Sequence, residues 1–164
     1  MLKSSKPKPP EGGWKMQEKT AYICGPLTEL PDELKGPVKA LYSKLGDICQ
    51  EVMGIRAFVP HEHFDPVAMP NFTPQEVDTA ERHQVCDLTS VLVVVAIQPT
   101  WGGGIEVEMA NRSGIPAIIL KPVNKNISRL LRGNPAVQGI VQYETFAEAE
   151  IVLKGALELL ILKS

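Results

Sequence analysis

Positions 98 to 108 read Gln-Pro-Thr-Trp-Gly-Gly-Gly-Ile-Glu-Val-Glu, so three consecutive glycines precede an acid at position 106. Glycines at such a turn let backbone N–H groups approach a ligand closely, and a helix beginning there favours negative charge at its start. A phosphate could therefore rest on the amides, although a carboxylate in the same turn would repel it. Alternatively Glu106 is the working group, held ionised by the helix dipole and usable as a nucleophile. A plain glycine turn followed by a favourable first-turn acid also explains the run. No Gly-Lys-Ser/Thr follows and the pattern is not GxGxxG, so neither a Walker A loop nor a dinucleotide fingerprint is present.

Other residues could contribute. His61-Glu62-His63-Phe64-Asp65 places two histidines and two acids in five residues. With no cysteine or distant ligand to complete a set, a metal is not expected there. His61 is instead a candidate contact or proton donor for a substrate base, with an ordinary exposed loop as the alternative. Trp101 could cover a base or sugar by stacking, or sit in a surface turn. Lys121, Lys125, Arg129 and Arg132 form a local basic cluster, suited to a phosphate pocket or to a solvated helix. Glu108, two helical steps from Glu106, points elsewhere and reads as solvated.

The elements that must position these groups follow from periodicity. Ala21 to Cys24 is a short apolar strand stopped by Gly25-Pro26, and Ala57 to Val59 is a second, closed by Pro60. Leu34, Val38, Leu41, Leu45, Ile48 and Val52 recur at helical spacing, which predicts a helix over 37–53 with Pro37 in its first turn. Thr73-Pro74-Gln75-Glu76 is a helix start with Thr73 as cap and Glu76 three residues on. Val91 to Ile97 is a β-branched run, the signature of a central parallel strand buried on both faces. A helix over 105–113, a strand over 116–120, a short helix over 127–131, a strand over 139–142 and a final helix from about Ala147 complete the pattern. Strands alternating with helices give a parallel sheet covered on both faces. The expected fold is α/β: a Rossmann-like (flavodoxin-like) doubly wound sheet of five strands in the order 2-1-3-4-5. Residues 1–19, rich in Lys, Pro and Gly, read as a flexible tail, and 20–164 as one domain.

In such folds ligands lie outside the carboxyl ends of the strands. That rule selects the loops at 25–30, 60–64, 98–104 and 121–126. With 17 basic and 19 acidic residues the net charge is −2, which argues against polymeric nucleic acid as a partner. The 3 cysteines lack CxxC spacing, as expected of reduced, buried thiols. No apolar signal segment opens the chain, and its longest apolar run is far short of the ~20 residues of a membrane span. A cytoplasmic protein, with no membrane partner and no cofactor, is expected.

The segments Tyr22-Ile23-Cys24-Gly25-Pro26 and Gln98-Pro99-Thr100-x-Gly102-x-Gly104-x-Glu106 resemble the nucleoside 2-deoxyribosyltransferase superfamily, and Ser128-Arg129-Leu130-Leu131-Arg132-Gly133 resembles its 2′-deoxynucleoside 5′-phosphate N-hydrolase branch. The resemblance implies that Glu106 is the carboxylate that attacks the anomeric carbon and that Thr100, Gly102 and Gly104 lie on the loop cradling the sugar phosphate. It implies further that Ser128 reaches a phosphate in a neighbouring subunit, so that a homodimer shares its active sites, and that Tyr42 belongs to the catalytic group. The expected partner is a small nucleotide or nucleoside. After the first strand the branch carries a Ser and an Arg; here Gly25-Pro26-Leu27-Thr28 stands instead, with Thr28 as a candidate replacement. The superfamily's second acid, two turns before the third strand, falls on Arg82. Asp78, Glu81 and Asp87 lie nearby, and Asp87-Leu88 reproduces the family dipeptide, which makes Asp87 the candidate. The implied activity is hydrolysis of the N-glycosidic bond of a (deoxy)nucleoside 5′-monophosphate. Base exchange by a deoxyribosyltransferase and non-catalytic nucleotide sensing are the alternatives.

Overall fold

A computed structural model describes residues 18–163, so most of the segment read as a tail lies outside the described residues. The element order is β1 (Thr20–Cys24), α1 (Asp32–Met53), α2 (His61–Phe64), α3 (Pro74–Leu88), β2 (Thr89–Val95), α4 (Trp101–Arg112), β3 (Ala117–Pro122), α5 (Arg129–Arg132), β4 (Val137–Tyr143) and α6 (Phe146–Lys163). The strands form one parallel sheet in the order β1-β2-β3-β4, with Cys24 opposite Val94, Val95 opposite Leu120 and Leu120 opposite Val141.

The sheet therefore has four strands among the described residues, not the expected five. The segment 57–59 contributes a single parallel bridge, Phe58 to Tyr22, made by Phe58 N–H to Ala21 O at 2.8 Å and Ile23 N–H to Phe58 O at 2.9 Å. Pro60, which cannot donate to a ladder, follows at once and turns the chain into α2.

Each face of the sheet carries its own core. Ile23, Val93, Ile118 and Leu120 pack with Leu41 and Leu45 of α1 and with Leu153 and Leu157 of α6. Tyr22, Leu92, Val94 and Ile119 pack with Val85 of α3 and with Val107 and Ala110 of α4. β2, buried along nearly its whole length, is the shared wall, as its β-branched run requires. Helix α3 starts as the sequence indicates: the Thr73 hydroxyl accepts from Glu76 N–H at 3.2 Å, and the Glu76 carboxylate accepts from Thr73 N–H at 2.8 Å. Helix α1 starts five residues earlier than expected. Asp32 and Glu33 occupy its first turn, where acids complement the dipole, and Pro37 lies inside it.

The most consequential shift is in α4. It begins at Trp101, so Gly102, Gly103 and Gly104 are part of the helix and Glu106 lies in its second turn. No helix of the described residues is long and apolar enough to cross a membrane.

Candidate active site

The carboxyl ends of β1, β2 and β3 and the start of α4 enclose a cavity of about 260 Å³. Its walls include Cys24 and Gly25 after β1, Gln98 and Thr100 after β2, Gly103 on α4, and Lys125 and Ser128 after β3. Among the described residues, Lys125 is the only charged side chain on that wall. The start of α4 has no side-chain cap, which leaves its first backbone N–H groups open toward an acceptor. Thr100 lies at that start. The Ser128 hydroxyl accepts from Leu131 N–H at 3.0 Å and so fixes the α5 turn against the cavity.

Two glycines set the spacing of this wall. A Cβ at Gly25 would lie 2.4 Å from the Tyr42 Oη, and a Cβ at Gly103 would lie 2.9 Å from Thr100 Cγ2. Both positions are therefore closed to side chains. Gly102 and Gly104 are not crowded in this way, so the packing constraint in the triplet falls on its middle member.

Glu106 lies behind the Cys24 wall, only 9% exposed. Its Oε1 accepts a 2.6 Å hydrogen bond from the Tyr22 hydroxyl, while the nearby Cys24 thiol is directed at Gly103 O. Burial raises the Glu106 pKa above the ordinary carboxylate value, and the neighbouring Cys24 thiol and Tyr22 hydroxyl oppose that rise. This corrects the expectation of a first-turn acid kept ionised by the helix dipole: the macrodipole fades beyond the first turn, and Glu106 is past it. Tyr22 and Cys24 are themselves pushed upward, first by burial and then by the negative charge of Glu106, so both stay protonated donors.

A second carboxyl group faces this one. Glu81 of α3 is half-buried, and its pKa is raised to about 7, first by burial and next by Glu106. Two acids sharing a poorly solvated site divide their protons unequally. Asp87, the expected second acid, is elsewhere. It is exposed and pairs with His83 Nδ1 at 2.7 Å on the surface of α3. The reason is directional: α3 descends toward the start of β2 at Thr89, so Asp87 sits at the amino edge of the sheet. Six residues earlier, at ~1.5 Å rise each, the helix is about 9 Å nearer the ligand edge, and that is where Glu81 stands. Glu81 stood among the nearby acids weighed from sequence but was passed over for Asp87, and Tyr22 was given no role of its own. The helical register of Glu81 relative to the strand ends is the signal that could have found it.

The remaining candidates fall around the rim. Tyr42 is buried on α1 and donates to Pro26 O at 2.6 Å, which ties α1 to the turn after β1. His61 lies 6.1 Å from Tyr42, ring to ring, with its Nδ1 buried and without a partner; burial lowers its pKa, so it is the neutral imidazole. Its neighbours do not converge on a metal. Glu62 is held by Arg56 at 2.6 Å and by Ser43 at 2.7 Å, and Asp65 pairs with Lys39. Thr28 is exposed and does not line the cavity. Trp101 is 89% exposed and lies with Arg82 and Ile105 along an outer groove. Glu108 is on the surface, bonded to Asn111 and Arg112.

No protein-family model matches the chain, and no curated protein matches it. Solved structures do. The Clostridium botulinum CMP N-glycosidase BcmB superposes with a TM-score of 0.59 at 16% identity, covering 82% of this chain and 98% of that one. A 2-deoxyribosyltransferase from Bacillus psychrosaccharolyticus gives a TM-score of 0.55 at 14% identity, covering 81% of this chain and 94% of that one. A conserved protein from Enterococcus faecalis gives 0.50 at 16% identity, over 90% and 99% of the two chains. At such identities the likeness is one of fold: the α/β architecture found here is also that of an N-glycosidase and of a deoxyribosyltransferase.

Proposed function

We propose that the chain is an N-glycosidase that hydrolyses the N-glycosidic bond of a (deoxy)nucleoside 5′-monophosphate, releasing free base and sugar 5-phosphate. The observation that carries this reading is the carboxyl pair. Glu106 is buried and bonded to Tyr22 on the element that lends Gly103 and Val107 to the cavity wall, and Glu81 is raised to about 7, by burial and by Glu106. The enzymes of similar fold, a CMP N-glycosidase and a 2-deoxyribosyltransferase, support the same chemistry.

Cleaving the bond between sugar and base builds positive charge at the anomeric carbon, which a carboxylate stabilises and then traps. In this account the Glu106 carboxylate attacks C1′ while the C1′–N bond breaks. The departing base takes the electron pair and the proton held by Glu81. Water next attacks C1′ of the glycosyl ester, gives a proton to the Glu81 carboxylate, and frees Glu106. Tyr22 holds Glu106 Oε1 in place, and its bond opposes the rise in proton affinity that burial causes. The 5′-phosphate would lie in the cavity on Lys125, the open amides of α4 and the hydroxyls of Thr100 and Ser128, so binding at the non-reacting end positions the reacting one. A volume of about 260 Å³ suits a sugar phosphate and is too small for a dinucleotide. His61, a base contact in this reading, lies beside Tyr42 with its Nδ1 buried and lacking a hydrogen-bond partner. In the homodimer that the sequence resemblance implies, Ser128 would instead serve the phosphate bound to the neighbouring subunit.

Incubation with ribo- and deoxyribonucleoside monophosphates, and with the unphosphorylated nucleosides, tests the proposal through release of free base. Base release from a monophosphate, and at least about 100-fold less from its nucleoside, is expected if the phosphate contributes a charge-assisted anchor. Release that requires an added acceptor base would mark a transferase, and no release from any compound would refute the glycosidase.

A further inference from the structure

We propose that Phe58 and His63 are positioning residues: through a stack of rings they fix the plane of Tyr22 and so aim its hydroxyl at Glu106. The inference rests on the role given to Glu106 above and adds to it two residues that touch neither substrate nor carboxylate.

The Tyr22 ring lies on the Phe58 ring with centroids 5.5 Å apart and planes 14° from parallel. Phe58 in turn lies on His63, 4.2 Å apart and 7° from parallel. Three rings thus form one column, with the Glu106 hydrogen bond on the innermost and solvent beside the outermost, since His63 is exposed. Strand β1 fixes the backbone of Tyr22 but leaves the torsion about its ring axis, which is broad for aromatic side chains and must be set by packing. That torsion matters because a phenolic O–H lies near the plane of its ring. Turning the ring turns the proton away from Glu106 Oε1, even when the oxygen stays where it is.

Both outer rings are anchored independently. Phe58 is held by the pair of backbone bonds that make the lone bridge to β1. His63 sits on α2, which is clamped to α1 through Glu62, gripped by both Arg56 and Ser43. The bridge at 57–59, too short to count as a strand, therefore delivers one ring to one place. The titratable groups that face Glu106 are Tyr22 and Cys24 from β1, Glu81 from α3 and, farther off, Tyr42 from α1. Of these Tyr22 alone belongs to the ring column. Its bond lowers the Glu106 pKa, so loosening the column raises it.

The test follows the Glu106 carboxyl directly, by NMR titration of protein labelled with 13C at the glutamate carboxyl carbons, alongside kcat and KM for base release. Tyr22→Phe is expected to raise the proton affinity of Glu106 about tenfold, one pH unit. Phe58→Leu is expected to raise it about threefold and to lower kcat about tenfold, with KM within twofold, the pattern of an interaction that matters in the transition state. Phe58→Tyr, which keeps the ring, restores both. The double variant Tyr22→Phe/Phe58→Leu should match Tyr22→Phe alone, because both changes act through one hydroxyl. His63→Ala, at an exposed position that does not threaten folding, moves the titration in the same direction by about twofold, and His63→Phe does not. An unmoved Glu106 titration in His63→Ala and in folded Phe58→Leu overturns the proposal, as does a double variant whose shift equals the sum of the two. If the titrations behave as described but no base is released, the column stands and the glycosidase reading fails. If base release depends on Glu106 while its titration ignores Phe58 and His63, the reading stands and the column fails.

Discussion

At Glu106 burial and hydrogen bonding pull the proton in opposite directions. Burial favours the acid, whereas the Tyr22 bond and the nearby Cys24 thiol favour the anion. A nucleophile needs the anion, so removing a donor should cost activity most at low pH: Tyr22→Phe is expected to move the acid limb of kcat/KM upward by about one unit. In the proposed mechanism Glu81 has the complementary task, and a pKa raised to about 7 would put the alkaline limb of activity close to neutrality. Glu81→Gln should lower kcat at least about 100-fold and abolish that limb, checked by a pH–rate profile. The same group leaves a mark on stability. Because its folded pKa lies above the ordinary 4.5, the folded chain holds a proton that the unfolded chain releases. The contribution is present below the ordinary value and is lost as pH rises through about 7. Glu81→Gln should therefore leave stability unchanged at pH 4 and raise it at pH 8 by about 1 kcal/mol once solvent screening is allowed for, as read by urea denaturation.

Among the elements, the long ones were legible and the junctions were not. The capping box of α3 and the β-branched run of β2 predicted their structures closely, because local chemistry and burial agree there. Segment 57–59 reads as a strand by composition, yet three residues before a proline give a bridge and no more. The glycine triplet reads as a turn, yet it forms the first turn of α4, because close packing of Gly103 on Thr100 and Cys24 outweighs low helix propensity. That four-residue difference in where the helix starts decides whether Glu106 is a first-turn acid or a second-turn one, buried against Tyr22. Asp87 failed as a candidate for the same kind of reason: a dipeptide match says nothing about which edge of the sheet a helix residue reaches. Tyr42 and Gly25 were legible as neighbours of the site, though their mutual contact was not. Gly25→Ala should break the Tyr42 bond to Pro26 and cost about 1–3 kcal/mol in urea unfolding, as overpacking does.

Over the whole molecule, the two cores on either side of β2 mean that the site is carried by a rigid sheet and not by its loops alone. Leu157 of α6, buried on the face away from Glu106, tests that division. Leu157→Ala should cost about 2–5 kcal/mol of stability while leaving kcat within about twofold below the unfolding transition, by calorimetry and base release. The alternation of strand and helix patterns along the sequence predicted an α/β domain, and the comparisons agree on that architecture while sharing little sequence. The proposed chemistry rests instead on the placement of a few side chains, and above all on one carboxylate. The decisive measurement is base release from a nucleoside 5′-monophosphate by the unaltered chain and by Glu106→Ala at equal folded concentration. The account predicts a fall of at least about 1000-fold in kcat with the fold intact by circular dichroism, and a variant within about tenfold of the unaltered chain would contradict it.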